Sequence, residues 1–335
     1  MNQNFIPGLL LFLTLFACSP KWETKSYYAN YLTNISSESP TLIFPFLVNT
    51  PFNERDAALS PDGQMLIYSF KYANQYVLLF TELVKGIWTK PNVLPFSGQY
   101  SDLEPCFSPD GSYLFFSSNR PIDKGNETKD FDLWVVEKEN SGWSAPVNLG
   151  TRVNSQYNEF YPSVSEDMTL YFCSKNDKCI GGEDLWFSEQ ISPGQWGEPQ
   201  NLGDSINTSS DEYNAFVHPQ EKYIIFTTHG RGKGIGSGDL WVSFHKGNQE
   251  WTRPKNMGEI VNTPYFEFSP SISADGQLLF FTSNQLNPQK DDPTPLKYSE
   301  ITKIMMQVQN GNQDIYCIRT DFIDDFRSKN ISSGE

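Results

Sequence analysis

Apolar residues in this chain fall in short runs, too brief for packed helices and separated by turn-forming residues. From Glu104 to Gly150 the runs are Cys106–Phe107, Tyr113–Ser117, Leu133–Val136 and Val147–Leu149, with Trp143 ahead of the last. Asp110-Gly111 joins the first two; both residues tolerate positive φ, which is a two-residue hairpin signal. Asn140-Ser141-Gly142 punctuates the third and fourth. The pattern predicts four antiparallel strands, A to D. One such sheet cannot bury both of its faces, so it needs copies of itself.

The copies are present. Glu159 opens EFYPSVSEDMTLYFCS followed by EDLWFSEQISPGQWGEPQNLG, and Glu212 opens EYNAFVHPQEKYIIFTT followed by GDLWVSFHKGNQEWTRPKNMG. Glu267 opens EFSPSISADGQLLFFTS, then a long insert and DIYCIRTDF; Glu54 opens a diverged copy, ERDAALSPDGQMLIYSF. Taking Glu54, Glu104, Glu159, Glu212 and Glu267 as openers gives spacings of 50, 55, 53 and 55 residues. A period near fifty with four strands per unit signals a propeller or a related array. Blades are covered on both faces, so their strands should be apolar throughout, as Leu114-Phe115-Phe116, Ile224-Ile225-Phe226 and Leu279-Phe280-Phe281 are.

The last unit lacks a strand D, and the missing piece stands at the other end of the chain. Ile43–Thr50 precedes Glu54 as Asn148–Ser155 precedes Glu159. Pairing Ile43–Val48 onto the last blade would close the ring and remove two exposed edges. The expectation is an all-β, five-bladed propeller over residues 41–325, with 326–335 as a C-terminal tail and a six-bladed ring as the alternative.

Residues Phe5 to Ala17 form an apolar stretch too short to span a bilayer, ending Leu15-Phe16-Ala17-Cys18. It reads as a signal peptide over residues 1–17, with Cys18 as a lipidation site and 18–40 as a tether, although Met1–Asn4 lacks the usual Lys or Arg. The alternative is an ordinary cleaved signal. The net charge of −15 argues against a nucleic-acid partner, which requires clustered Lys and Arg. Cys173 and Cys179 could form a disulfide in an exported protein or remain free; their spacing is not a zinc pattern.

SPDG at Ser60–Gly63 and Ser108–Gly111, followed by apolar strands and DLW, resembles the TolB-type, WD-like β-propeller repeat. WSAPVNLG, WGEPQNLG and WTRPKNMG resemble the endings of a subset found in bacterial envelope lipoproteins. The resemblance covers about Ile43 to Phe322. It departs at Ser165-Glu166-Asp167-Met168 and His218-Pro219-Gln220-Glu221, which lack the turn glycine, and in the first unit, which lacks DLW. It implies an envelope setting, an exported lipoprotein of the outer membrane held by its lipid anchor. It implies no reaction, since propellers host binders and enzymes alike.

Alternating strand direction places the D–A and B–C connections on one face, here the upper one, and the A–B turns on the other. Upper-face candidates are Asn119 and Arg120, His229 and Arg231, the five opening glutamates and the insert Asn284–Gln313. Arg120 and Arg231 are not repeated in each unit, so they are expected to be exposed and free to meet a ligand. The glutamates could ring the channel mouth as a cation or polar-ligand site. A residue repeated in every blade more often serves the repeat, accepting backbone hydrogen bonds. Asp132, Asp184, Asp239 and Asp314, ahead of strand C, read as loop-amide acceptors for the same reason, and Trp143, Trp196 and Trp251 as inter-blade packing. The chain has no HExxH and no GxSxG, and the glycines from Gly232 to Gly238 fill a strand-to-strand loop rather than a dinucleotide turn. No metal site, cofactor or catalytic residue is implied. The leading expectation is a non-enzymatic binding or scaffolding module for an envelope protein or glycan. The alternative is a carbohydrate-active enzyme, a lyase or glycosidase, using upper-face Glu, Arg and His.

Overall fold

The computed structural model describes residues 31–122, 130–140, 142–248, 250–286 and 297–332. Phe5–Ala17 and Cys18 lie outside the described residues, as does the start of the expected tether. Five four-stranded antiparallel units are arranged as a five-bladed propeller. The innermost strands are Glu54–Leu59, Asp102–Phe107, Glu159–Val164, Asp211–Val217 and Glu267–Ile272. Each pairs with a strand B, and each B with a strand C such as Asp132–Glu139 or Asp184–Ser188. The outermost strand is split into two-residue pieces: Gly142–Trp143 pairs with the end of Asp132–Glu139, and Val147–Asn148 with its start. A short, interrupted outer strand leaves little edge for another chain to extend.

The core is five clusters, one per blade-to-blade junction. Leu185 and Phe187 of the third blade meet Ile224 and Phe226 of the fourth; Leu240 and Val242 of the fourth meet Leu279 and Phe281 of the fifth. The last junction closes the ring, with Leu66 and Tyr68 of the first blade against Phe280 and Ile315 of the fifth. The tryptophans at the blade rims join these junctions as expected: Trp196 packs edge-on to Phe115, and Trp251 edge-on to Tyr171.

The closing strand lies earlier than the sequence suggests. Thr41–Leu42 pairs with Asp314–Arg319 in the register Thr41↔Cys317 and Leu42↔Tyr316, and Ile43 N–H continues to Ile315 O. Ile43–Val48 is instead a compact turn. Phe44 and Phe46 adopt positive φ of 38° and 64°, and Ile43, Phe44 and Val48 are fully buried. Asn49 locks this turn, donating to Ile43 O and Ile315 O and accepting from Ile315 N–H. The end of the segment expected as a tether packs on the propeller. Tyr31–Asn34 forms a 3-10 turn, Ile35 is buried in the closing junction, and the Tyr31 hydroxyl donates to Leu42 O at 2.7 Å.

Two helices were not foreseen. α1 (Tyr298–Met305) lies within the insert, and α2 (Ile323–Ser332) follows the last strand, burying Ile323 at the fourth–fifth junction where a free tail was expected. No helix among the described residues is long and apolar enough to cross a membrane.

Candidate functional site at the propeller axis

Every innermost strand carries the same irregularity. The pairing register shifts after the second residue, or after the third in Asp211–Val217, which begins one residue earlier, and the next residue adopts left-handed φ: Asp56 59°, Glu104 60°, Tyr161 52°, Asn214 49°, Ser269 55°. Such bulges re-aim a side chain at the cost of local strain, and they concentrate near functional sites. The bulge also corrects the sequence alignment. Glu54, Glu159, Glu212 and Glu267 stand at the opening level, but the residue at that level in the second blade is Asp102. Glu104 lies two residues deeper, beside Asp56.

The opening level is structural. Glu159 accepts from Ser155 N–H (3.1 Å) and Ser155 Oγ (2.6 Å), and Glu212 and Glu267 hold Thr208 and Thr263 in the same way. Glu54 holds Thr50. Asp102, one methylene shorter, is held by Ser97, Ser118 and Arg120 instead. Burial pushes Glu54 and Glu159 up to about 7 against the hydrogen bonds that favour their ionised forms. The aspartates that open strand C accept loop amides, as expected: Asp184 from Ile180 and Gly181 N–H, and Asp239 from Ile235 and Gly236 N–H.

The two arginines are not free. Arg120 is 7% exposed, paired to Asp102 and stacked near Phe116 and Trp134, because the shorter Asp102 leaves room for a guanidinium. Arg231 donates to Ile206 O and approaches Glu212 at 3.6 Å. Asn119 exchanges hydrogen bonds with the Ser101 backbone, and His229 contacts Ser237 O. All four brace loops, and none points toward a shared ligand. Cys173 and Cys179 are free thiols, since they join different junctions on opposite faces of the third blade.

The residues that do converge sit at the bulge level. Arg55 Nε donates to Asp56 Oδ1 at 2.7 Å, and Arg55 Nη2 donates to Glu104 Oε1 at 2.9 Å. One guanidinium edge therefore bridges carboxylates from two blades. Asn214 of the fourth blade donates to Glu104 Oε1 at 3.3 Å, Tyr161 N–H of the third donates to Glu104 Oε2 at 2.8 Å, and Ser269 of the fifth donates to Asp56 Oδ1. Asp56 Oδ2 is buried without a partner among the described residues. Burial pushes Glu104 up to about 7; the Arg55 charge opposes that rise and the Asp56 carboxylate adds to it. Around this cluster stand the buried Phe268 ring and half-buried rings. Arg55 lies 4.8 Å over Phe268 and 5.7 Å over Tyr76, Phe266 packs on Phe268 and Tyr213, and Phe131 packs on Phe160. The described residues contain no grouping of His, Cys, Asp and Glu able to hold a metal ion.

Sequence reasoning missed Arg55, Asp56, Tyr161, Asn214 and Ser269. The signal was present: each strand opens six residues before the first residue of its A–B turn (Ser60, Ser108, Ser165, His218, Ser273), and that count selects Asp102.

No family model and no curated protein matches the chain. Among solved structures it resembles a TolB from Acinetobacter baumannii at 11% identity and TM-score 0.47, covering 81% of this chain and 55% of that one. An α-L-arabinofuranosidase from Lactobacillus brevis matches at 11% identity and TM-score 0.48, covering 82% and 92%. A structure described as a glycoside hydrolase matches at 7% identity and TM-score 0.54, covering 86% and 92%. The likeness to the last of these, at 7% identity, speaks for the all-β propeller fold alone, and the count of five blades is that of the chain's own sheets.

Proposed function

We infer that the protein is a ligand-binding propeller of the bacterial envelope, carried on a lipid at Cys18, whose upper axial mouth captures a glycan. The supporting observation is the arrangement at the axis. A polar cluster drawn from all five blades lies among buried and half-buried Tyr and Phe rings, and none of its side chains repeats from blade to blade. Aromatic faces beside a few fixed polar groups suit sugars, which present apolar ring faces and hydroxyl edges. The test is a glycan array probed with wild-type protein and with Tyr76→Ala and Tyr213→Ala. Binding to a defined set of glycans that both variants weaken supports the reading, and array signal indifferent to both overturns it.

One observation favours an enzyme as the second reading. Asp56 and Glu104 share a guanidinium edge, and a carboxyl poised near 7 suits proton transfer to a leaving group. Release of reducing ends from an array-positive glycan, abolished by Glu104→Gln with binding retained, would move this reading ahead.

A further inference from the structure

The opposite end of the axis holds a cavity of about 370 Å³ to which all five blades contribute. Its inner wall carries Leu59, Cys106, Phe107, Val164, Phe216 and Ile272, and polar side chains, among them Glu166, His218, Gln220, Lys222 and Asp275, line it as well. Polar groups of the innermost strands are used up elsewhere, Ser163 Oγ by Val217 N–H and Ser271 Oγ by Ala57 O. The Tyr161 phenol spans the channel from the third blade to Pro270 O of the fifth at 2.9 Å, so the cavity is a well separated from the charged cluster above.

The rim of this well is where the repeat breaks down. The two A–B turns that lack the turn glycine, Ser165–Met168 and His218–Glu221, meet here. Glu166 N–H donates to Pro219 O at 2.8 Å, and Gln220 donates to the Glu166 carboxylate. Gln220 N–H also donates to His218 Nδ1 at 3.1 Å, leaving Nε2 to carry the ring hydrogen. Burial and the neighbouring Lys222 hold His218 neutral, its pKa down to about 4. The carboxylates at the rim are engaged, Glu166 by Gln220 and Asp275 by Ser273 and Gln277 N–H. Lys222 forms no ion pair among the described residues, and its ammonium is exposed at the rim. SPDG turns would satisfy the fold at these positions, as they do in the first and second blades. Their replacement beside the well is what a ligand would select.

We propose that this lower well is a second binding site, taking a small ligand with an apolar body and a carboxylate head, the body against Cys106, Phe107 and Phe216 and the head at Lys222. The volume is within the range of small-ligand pockets, and one cation without an ion pair at the opening of a partly apolar well matches one anionic head. This site is independent of the glycan reading, since it lies beyond Tyr161.

The experiment is fluorescence titration of the mature protein with anilinonaphthalene sulfonate, an apolar anion, followed by displacement with decanoate, decyl alcohol and decylamine. Saturable binding of one probe per chain is expected, with decanoate displacing it about five-fold or more better than decyl alcohol, and decylamine least effective. Lys222→Glu, an exposed change remote from the core, should bring decanoate down to the level of decyl alcohol. Phe216→Ala should weaken all three in parallel. The proposal is overturned if probe binding does not saturate, if decylamine is the better competitor, or if Lys222→Glu leaves decanoate unchanged.

Discussion

Two layers of the innermost strands, two residues apart, contain buried carboxylates, and they use them differently. At the opening layer Glu54, Glu159, Glu212 and Glu267 each hold the Thr or Ser four residues upstream, and Asp102 fills the fifth position by other means. At the bulge layer Asp56, Glu104, Tyr161, Asn214 and Ser269 are all different. The first layer repeats because every blade has the same D–A turn to fasten. The second is under no such demand, because its backbone is already fixed by the bulge, and its side chains are free to build one asymmetric cluster. Repetition marks architecture, and its loss at a structurally equivalent position marks the place to look for function.

The sharpest break of this comparison is Arg55→Met. It strands two buried carboxylates at the axis, which typically costs about 3–5 kcal/mol, so the urea midpoint should fall steeply. Adding Glu104→Gln to it should recover part of the loss. A pair of loop variants comes next. Arg120→Ala removes the partner of fully buried Asp102 and should cost on the order of 3 kcal/mol. Arg231→Ala breaks a longer, partly exposed contact and should cost about 1 kcal/mol or less. Equal costs for the two would mean that Asp102 is not the opening residue of its blade.

The fold was legible because five imperfect copies of one unit correct one another. A weak hairpin at Ser165–Met168 is recognised from its strong relatives, and the missing last strand from its counterpart at Ile43–Thr50. The site was not legible by the same route. Matching Glu104 to other glutamates by residue type moved the second blade by two positions and concealed the bulge layer. The loop position of Arg120 predicts exposure, whereas a short acidic residue at 102 draws it inward. The closing segment was placed too late, since a buried turn with two left-handed phenylalanines has the apolar content of a strand. α1 and α2 follow from the insert and the tail, which no repeat copy could help to interpret.

A smaller effect concerns pH. Glu54, Glu159 and Asp314 are pushed by burial to about 7 in the fold, above their ordinary values. Between roughly pH 4.5 and 7 the folded chain therefore holds protons that the unfolded chain has released, and stability falls as pH rises through that window. The melting temperature should be higher at pH 5 than at pH 8, and Glu159→Gln should flatten the slope; a rise in stability with pH would show these carboxylates to be ionised throughout. The smallest effect is expected for Tyr76→Ala, half-buried at the mouth, whose stability should stay within about 1 kcal/mol of wild type while glycan capture is lost.

The most direct test sets one residue of each layer side by side. Glu104→Gln and Glu159→Gln keep their shapes, and both proteins, with wild type, are applied to the same glycan array after their folded state is confirmed by thermal melting. The two-layer account predicts that Glu159→Gln keeps the wild-type binding profile and that Glu104→Gln loses or reshapes it. A folded Glu159→Gln protein that loses the profile while Glu104→Gln retains it would contradict the account and return the ligand site to the repeated glutamates.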